Sequence, residues 1–167
     1  PRHNLPDPRT RFIGREAALA DLARLLPSAR LLTLTGIGGC GKTRLALQVA
    51  QQQRAAFADG VWFVDLAPLK DTERVTSACA AVLGIREEGD TPLIERLLQH
   101  LAASRTLLVL DNCEHVIDGV VALVEALLAG SADTTIIATS REGLGVAGEQ
   151  IFPVRSLALP ATTDLGA

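Results

Sequence analysis

The chain has 167 residues, of which 48% are hydrophobic and 21% charged, with a net charge of −3. That length and composition suit one globular domain with its own core rather than a disordered or fibrous chain. The acidic balance excludes a broad nucleic-acid footprint, which needs a strongly basic face, so any DNA contact belongs to a part of the protein outside this stretch.

Residues 1–11 hold Pro1, Pro6 and Pro8 with Asn4 and Asp7, and read as an extended linker. A helix is predicted over Arg15–Leu26, with Leu19, Leu22, Leu25 and Leu26 on one face and Pro27 closing it. Short β-rich runs follow at Leu31–Thr35, Val61–Asp65, Leu107–Asp111, Thr135–Thr139 and Ile151–Val154. Between them lie helical patterns at Lys42–Gln53, Glu73–Leu83, Pro92–Ala103 and Val116–Leu128. Apolar strands alternating with helices predict an α/β fold, a five-stranded parallel sheet covered by helices on both faces. The main domain is placed at residues 12–160 and a second linker at 161–167.

The longest apolar stretch, Val120–Ala129, is interrupted by Glu125 and is too short to span a bilayer. No basic start leads into an apolar run, so no leader is read, and the proline start suits an excised piece. Cys40, Cys79 and Cys113 are odd in number and lack metal-ligand spacing. They read as free thiols of a reducing, cytoplasmic compartment.

The segment Gly36-Ile37-Gly38-Gly39-Cys40-Gly41-Lys42-Thr43 matches G-x-x-x-x-G-K-[ST] between a predicted strand and a predicted helix. Its glycines let backbone N–H groups turn inward around an anion. The helix that follows adds its N-terminal amides and dipole. Lys42 is the point charge for the β- and γ-phosphates, and the Thr43 hydroxyl is a magnesium ligand. Lys42 is one of only two lysines, the other being Lys70, beside fourteen arginines, which makes a chance match less plausible.

A magnesium–triphosphate site also needs a carboxylate at a neighbouring strand end, and Leu107–Asp111 supplies Asp111. One predicted strand separates the phosphate loop from this acid strand in the sequence. That order fits the P-loop division (ASCE-type) in which a further strand lies between the two in space. The position after the acid is Asn112, whose amide cannot act as a base. Glu114 is the nearest carboxylate, and two readings stand: it positions the attacking water, or it favours the first turn of a helix. Arg141, beyond the strand Thr135–Thr139, has two readings: a reader of the γ-phosphate, since a planar guanidinium suits phosphate oxygens, or a surface arginine capping the sheet.

Cys40 and Cys113 flank this region and could face the nucleotide, but free cysteines more often serve as small apolar residues. His115 reads as a partner for backbone groups at a helix start, and Trp62 and Phe63 as core. No N-K-x-D motif supports guanine, and no arginine cluster after the third strand supports the lid of a small-molecule kinase. A P-loop small-molecule kinase and a mechanical AAA-type ATPase are kept as the alternatives to a switch.

Taken together, the chain resembles the STAND class of signal-transduction ATPases, near the NB-ARC domains and the ATPase modules of bacterial multidomain transcriptional regulators. Phe12-Ile13-Gly14-Arg15-Glu16 is similar to that class's entry motif, Gly36–Thr43 to its phosphate loop, and Leu107–Asn112 with Glu114-His115 to its acid strand. Thr139-Ser140-Arg141-Glu142 is similar to its sensor segment. The resemblance implies a slow ATPase that rests with ADP and switches on exchange to ATP. It implies Phe12, Ile13, Arg15, Gly36, Gly38, Gly39, Cys40, Gly41, Lys42, Thr43 and Arg44 at the nucleotide, Thr43 and Asp111 at magnesium, and Lys42, Asp111, Glu114 and Arg141 in catalysis. It further implies partners within the same protein (a helical lid, a winged helix, repeat or DNA-binding domains) and self-association that follows the nucleotide. No membrane and no direct nucleic-acid contact are expected of this stretch.

Overall fold

The computed structural model describes residues 2–7 and 14–155. Five strands, β1 (Leu31–Thr35), β2 (Val61–Asp65), β3 (Leu107–Asp111), β4 (Thr135–Ser140) and β5 (Glu149–Pro153), form one sheet in the order β2-β3-β4-β1-β5. Every pairing is parallel. The helices are α1 (Glu16–Leu25), α2 (Lys42–Gln52), α3 (Val75–Val82), α4 (Leu93–Leu101) and α5 (Ile117–Gly130).

The central strands β3, β4 and β1 are buried on both faces, which is why they read as continuous apolar runs. Leu32, Leu34, Leu107, Val109 and Ile137 meet Leu19 and Leu22 of α1 and Leu45 and Val49 of α2. Leu108, Leu110, Ile136 and Ala138 point the other way, toward Cys79, Leu97, Leu101, Val120 and Leu123 of the remaining helices. Successive side chains of the central strands thus feed two cores, as the two-residue strand period requires. Strand β4 lies between the loop strand β1 and the acid strand β3, the order the sequence predicts.

Several boundaries differ from expectation for local reasons. The helix predicted at Glu73–Leu83 starts with a 3-10 turn at Thr72–Arg74, because the Asp71 carboxylate accepts the Glu73 N–H at 3.0 Å and sets its own cap. Strand β5 begins at Glu149 rather than Ile151, drawn into register with Leu31 of β1. Trp62 and Phe63 are half-buried, since β2 is an edge strand.

Residues 2–7 lie along that edge. Val61 N–H donates to Arg2 O at 3.0 Å. The Asn4 side chain accepts from Phe63 N–H at 2.6 Å and donates to Phe63 O at 2.9 Å, as a neighbouring strand would. Leu5 is buried among the apolar residues of the α1–α2 face. An otherwise open strand edge is closed by this segment.

Candidate functional site

The turn from β1 into α2 carries the glycine-rich loop. Gly36 sits where a Cβ would lie 2.7 Å from Val154 O and 2.8 Å from Cys40 Sγ, so only glycine fits. Gly41 caps α2 with φ +92°, a left-handed conformation that glycine adopts without penalty. The Lys42 ammonium folds back onto its own loop and donates to Gly36 O at 2.7 Å and Ile37 O at 3.0 Å. The side of Gly39 is open, with no atom within 4 Å of where a Cβ would stand.

Thr43, on the first turn of α2, reaches across to the end of β3. Its hydroxyl lies 2.8 Å and 3.0 Å from the two oxygens of Asp111. Asp111 is 3% exposed. Burial, the largest influence, raises its carboxyl above the ordinary aspartate range. The Thr139 and Thr43 hydroxyls oppose that rise, while the charges of Asp65 and Glu114 add to it. A desolvated carboxylate beside two further acids is a place that gains from a cation.

Asn112 is the one non-glycine residue with positive φ (63°) among the described residues. Its side-chain amide donates to Asp111 Oδ2 at 2.9 Å, and its backbone N–H donates to Thr139 Oγ1 at 3.0 Å. Asparagine tolerates this conformation better than most residues.

Arg141 follows β4, and its Nη2 stands 3.8 Å from where a Cβ on Gly38 would be, so the guanidinium faces the loop. A cleft of about 600 Å³ opens beside it, lined by Glu114, His115, Ile117, Ser140, Arg141, Glu142 and Gly143. Glu114 Oε2 and Ser140 Oγ are both buried without a protein partner. Lone buried oxygens of this kind are costly unless something fills them.

Arg15 holds the loop from beneath, donating to Cys40 O at 2.5 Å and to Arg155 O at 2.8 Å. Arg44 is exposed on the first turn of α2. Phe12 and Ile13 lie outside the described residues. His115 Nε2 is 2.8 Å from Leu66 O, a backbone partner just after β2 rather than at the helix start expected. Cys113 faces away from the loop into the α3–α5 core, 3.3 Å from Leu110 O, and burial drives its thiol well above the usual range. Cys40 is buried beneath the loop, with Sγ 3.9 Å from Lys42 Nζ.

Sequence reasoning missed Glu149 altogether, and it named Asn112 and Thr139 without foreseeing that together they fix the Asp111 carboxylate. Glu149 ties the sheet to the turn after β4, accepting from Thr33 Oγ1 at 2.5 Å and from the backbone of Leu144 and Gly145.

Residues 26–144 match the family model described as AAA domain. An uncharacterized protein of Mycobacterium tuberculosis is 41% identical over 150 residues, covering 90% of this chain and 38% of its own length. A protein of the same organism described as an HTH-type transcriptional regulator is 42% identical over 135 residues, 81% of this chain and 15% of its own. The regulatory protein AfsR of Streptomyces coelicolor is 33% identical, with 82% and 15% covered. The chain thus spans well under half the length of these relatives. Among solved structures, the Drosophila ORC bound to DNA matches with a TM-score of 0.71 at 17% identity, covering 92% of this chain and 46% of that one. A STAND protein with a tetratricopeptide repeat sensor from Pyrococcus horikoshii matches with 0.63 at 19%, covering 90% and 24%. Identities that low carry the fold alone.

Proposed function

The chain belongs to the AAA domain family, and from that premise we propose that it binds ATP and ADP with magnesium, hydrolyses ATP slowly, and acts as the switch of a larger bacterial transcriptional regulator. The observation that carries the reading is the meeting of Thr43 with Asp111, at 2.8 Å and 3.0 Å, beneath a glycine-rich loop that is open on the side of Gly39. A hydroxyl and a carboxylate are hard oxygen donors of the kind magnesium takes beside phosphate oxygens.

In this reading the loop amides and Lys42 hold the phosphates, with the ammonium leaving Gly36 O and Ile37 O for the β- and γ-phosphate oxygens. Thr43 and Asp111 hold the ion, which neutralises charge that builds on the phosphates. Arg141 reads the terminal phosphate. Glu114, whose buried oxygen lacks a partner beside the cleft, orients the attacking water. Gly36, Gly38, Gly39, Cys40 and Gly41 line the phosphates through their backbone, and Phe12, Ile13, Arg15 and Arg44 border the nucleotide.

The switch role is supported by what the relatives are described as, regulators several times longer than this chain. The remainder of such a protein supplies a lid, a winged helix, and repeat or DNA-binding domains, and the nucleotide governs both their contacts and self-association. Among the described residues no helix is long and apolar enough to cross a membrane. All three cysteines are free, which suits a cytoplasmic setting.

Calorimetric titration of the full-length protein with ADP, ATP and GTP, with and without magnesium, tests the reading. Adenine-selective binding that magnesium strengthens is expected. Equal affinity for GTP would remove the adenine preference, and absence of any binding would sink the proposal.

A further inference from the structure

We propose that Thr139 is the positioning residue of the magnesium acid: its hydroxyl fixes the Asp111 carboxylate in the orientation that receives the ion. The inference rests on the reading of Asp111 given above and adds to it a role for Thr139, which the sequence places in the sensor-like segment without giving it any contact with Asp111.

Thr139 is 1% exposed, near the end of β4. The parallel ladder between β3 and β4 runs from Leu107↔Thr135 to Leu110↔Ala138 and stops there. Beyond it the backbone N–H of Asn112 turns to the Thr139 side chain, with Oγ1 accepting at 3.0 Å. A hydroxyl has one proton, and the Asn112 N–H can only donate. The Thr139 proton is therefore free for Asp111 Oδ1, 2.5 Å away. The direction of both bonds follows from the donor inventory and not from an assigned hydrogen position.

The second carboxylate oxygen is held from the other side by the Asn112 amide at 2.9 Å. One oxygen on Thr139 and the other on Asn112 leaves the carboxylate no freedom to rotate about its own axis, and its open edge faces Thr43. Asn112 makes both contacts from a left-handed backbone, φ 63°. Groups that orient a ligand in this way ordinarily change metal affinity by about 10–100-fold when removed. The same strand end continues through Ser140 into Arg141, so the magnesium acid and the arginine facing the loop share one support.

The test uses full-length protein carrying Thr139→Val, which keeps the shape and loses the hydroxyl, and Thr139→Ser, which keeps the hydroxyl. ADP affinity in EDTA and the magnesium concentration for half-maximal strengthening of ADP binding are read by calorimetry. For Thr139→Val the magnesium requirement is expected to rise about 10–100-fold, with ADP affinity in EDTA unchanged within about twofold and recovery at high magnesium. Thr139→Ser should stay close to wild type. An unaltered magnesium requirement in Thr139→Val overturns the inference, as does equal impairment in both variants, which would assign the effect to the methyl group. Should Thr139→Val fail to fold, Thr139→Ala removes the hydroxyl without added bulk, and a wild-type magnesium requirement there overturns the inference equally. A wild-type protein whose ADP binding ignores magnesium overturns the prior reading of Asp111, a result distinct from either of these.

Discussion

Gly36 and Gly39 both have positive φ, 155° and 79°, yet replacing them with alanine should have different consequences. At Gly36 the new methyl would stand 2.7 Å from Val154 O and 2.8 Å from Cys40 Sγ. Val154 cannot retreat easily, since its N–H donates to Thr35 O at 2.7 Å. Overpacking of this kind costs about 1–3 kcal/mol, and the backbone conformation a further ~1–3 kcal/mol. Gly36→Ala is therefore expected to lose about 2–6 kcal/mol, and a mid-range loss lowers Tm by roughly 12 °C for a chain of this size. At Gly39 nothing lies within 4 Å of the methyl position. Only the left-handed conformation is penalised there, by about 1–2 kcal/mol, or roughly 4 °C. The open space beside Gly39 is where a phosphate is proposed to lie, so Gly39→Ala should fold and bind ADP at least about tenfold more weakly, a loss of ~1.4 kcal/mol. Thermal unfolding paired with calorimetry reads both quantities on the same samples. Equal destabilisation by the two substitutions, or wild-type ADP affinity in Gly39→Ala, would refute the reasoning.

Lys42→Ala should weaken triphosphate binding by about 2–5 kcal/mol, the range for removing one partner of a desolvated charge pair, and an unchanged Kd would contradict the phosphate-loop assignment. Asp111→Asn should bind nucleotide normally in EDTA and lose the strengthening by magnesium, as the same titration shows. Because burial raises the folded-state carboxyl of Asp111, the nucleotide-free folded protein takes up its proton more readily than the unfolded chain. Stability from this group should therefore rise as pH falls from about 7 toward about 4, and urea midpoints should show that contribution vanish in Asp111→Asn. Arg141→Ala should weaken ATP about tenfold and leave ADP within about twofold, and equal loss for both would remove the sensor role. The Cys79 thiol is buried and pushed up to about 12, so iodoacetamide at mild alkaline pH should label it only after unfolding, which mass spectrometry can follow.

Much of the fold was legible because its strands announce themselves as apolar runs and the glycine-rich loop joins one of them to a helix. Leu107–Asp111 has both its bounds and its place in the sheet predicted by the same reasoning. What was illegible depends on long-range partners. Nothing local marks Thr139 as a holder of Asp111, 28 residues away in sequence. Glu149 reads as an ordinary polar residue until Thr33, 116 residues distant, is found donating to it. The proline-rich start suggests only an extended chain, whereas the docking of residues 2–7 depends on the free edge that β2 exposes once the sheet order is set. Of the expected site residues, the structure brings Lys42, Thr43 and Asp111 to one end of the sheet and turns Arg141 toward the loop. It gives Arg15 a contact with the loop backbone that the motif alone does not reveal.

The sheet order explains why three strands can serve one small site. Parallel pairing puts the carboxyl ends of all five strands at the same edge, and helix α2 starts at that edge. Register then sets the level: Thr35, the last residue before the loop, lies opposite Ser140, and Leu110 lies opposite Ala138. Asp111 and Thr139 therefore emerge one step beyond the last pair of the β3–β4 ladder, side by side, and Arg141 follows two residues later. Had β4 lain at an edge instead of between β1 and β3, no strand would have delivered both a hydroxyl to Asp111 and an arginine to the loop. A one-residue slip of β4 would send Thr139 to the opposite face, because successive side chains alternate. Ile136 and Ala138 in one core and Ile137 in the other resist that slip, so the packing that stabilises the sheet also holds the geometry of the site.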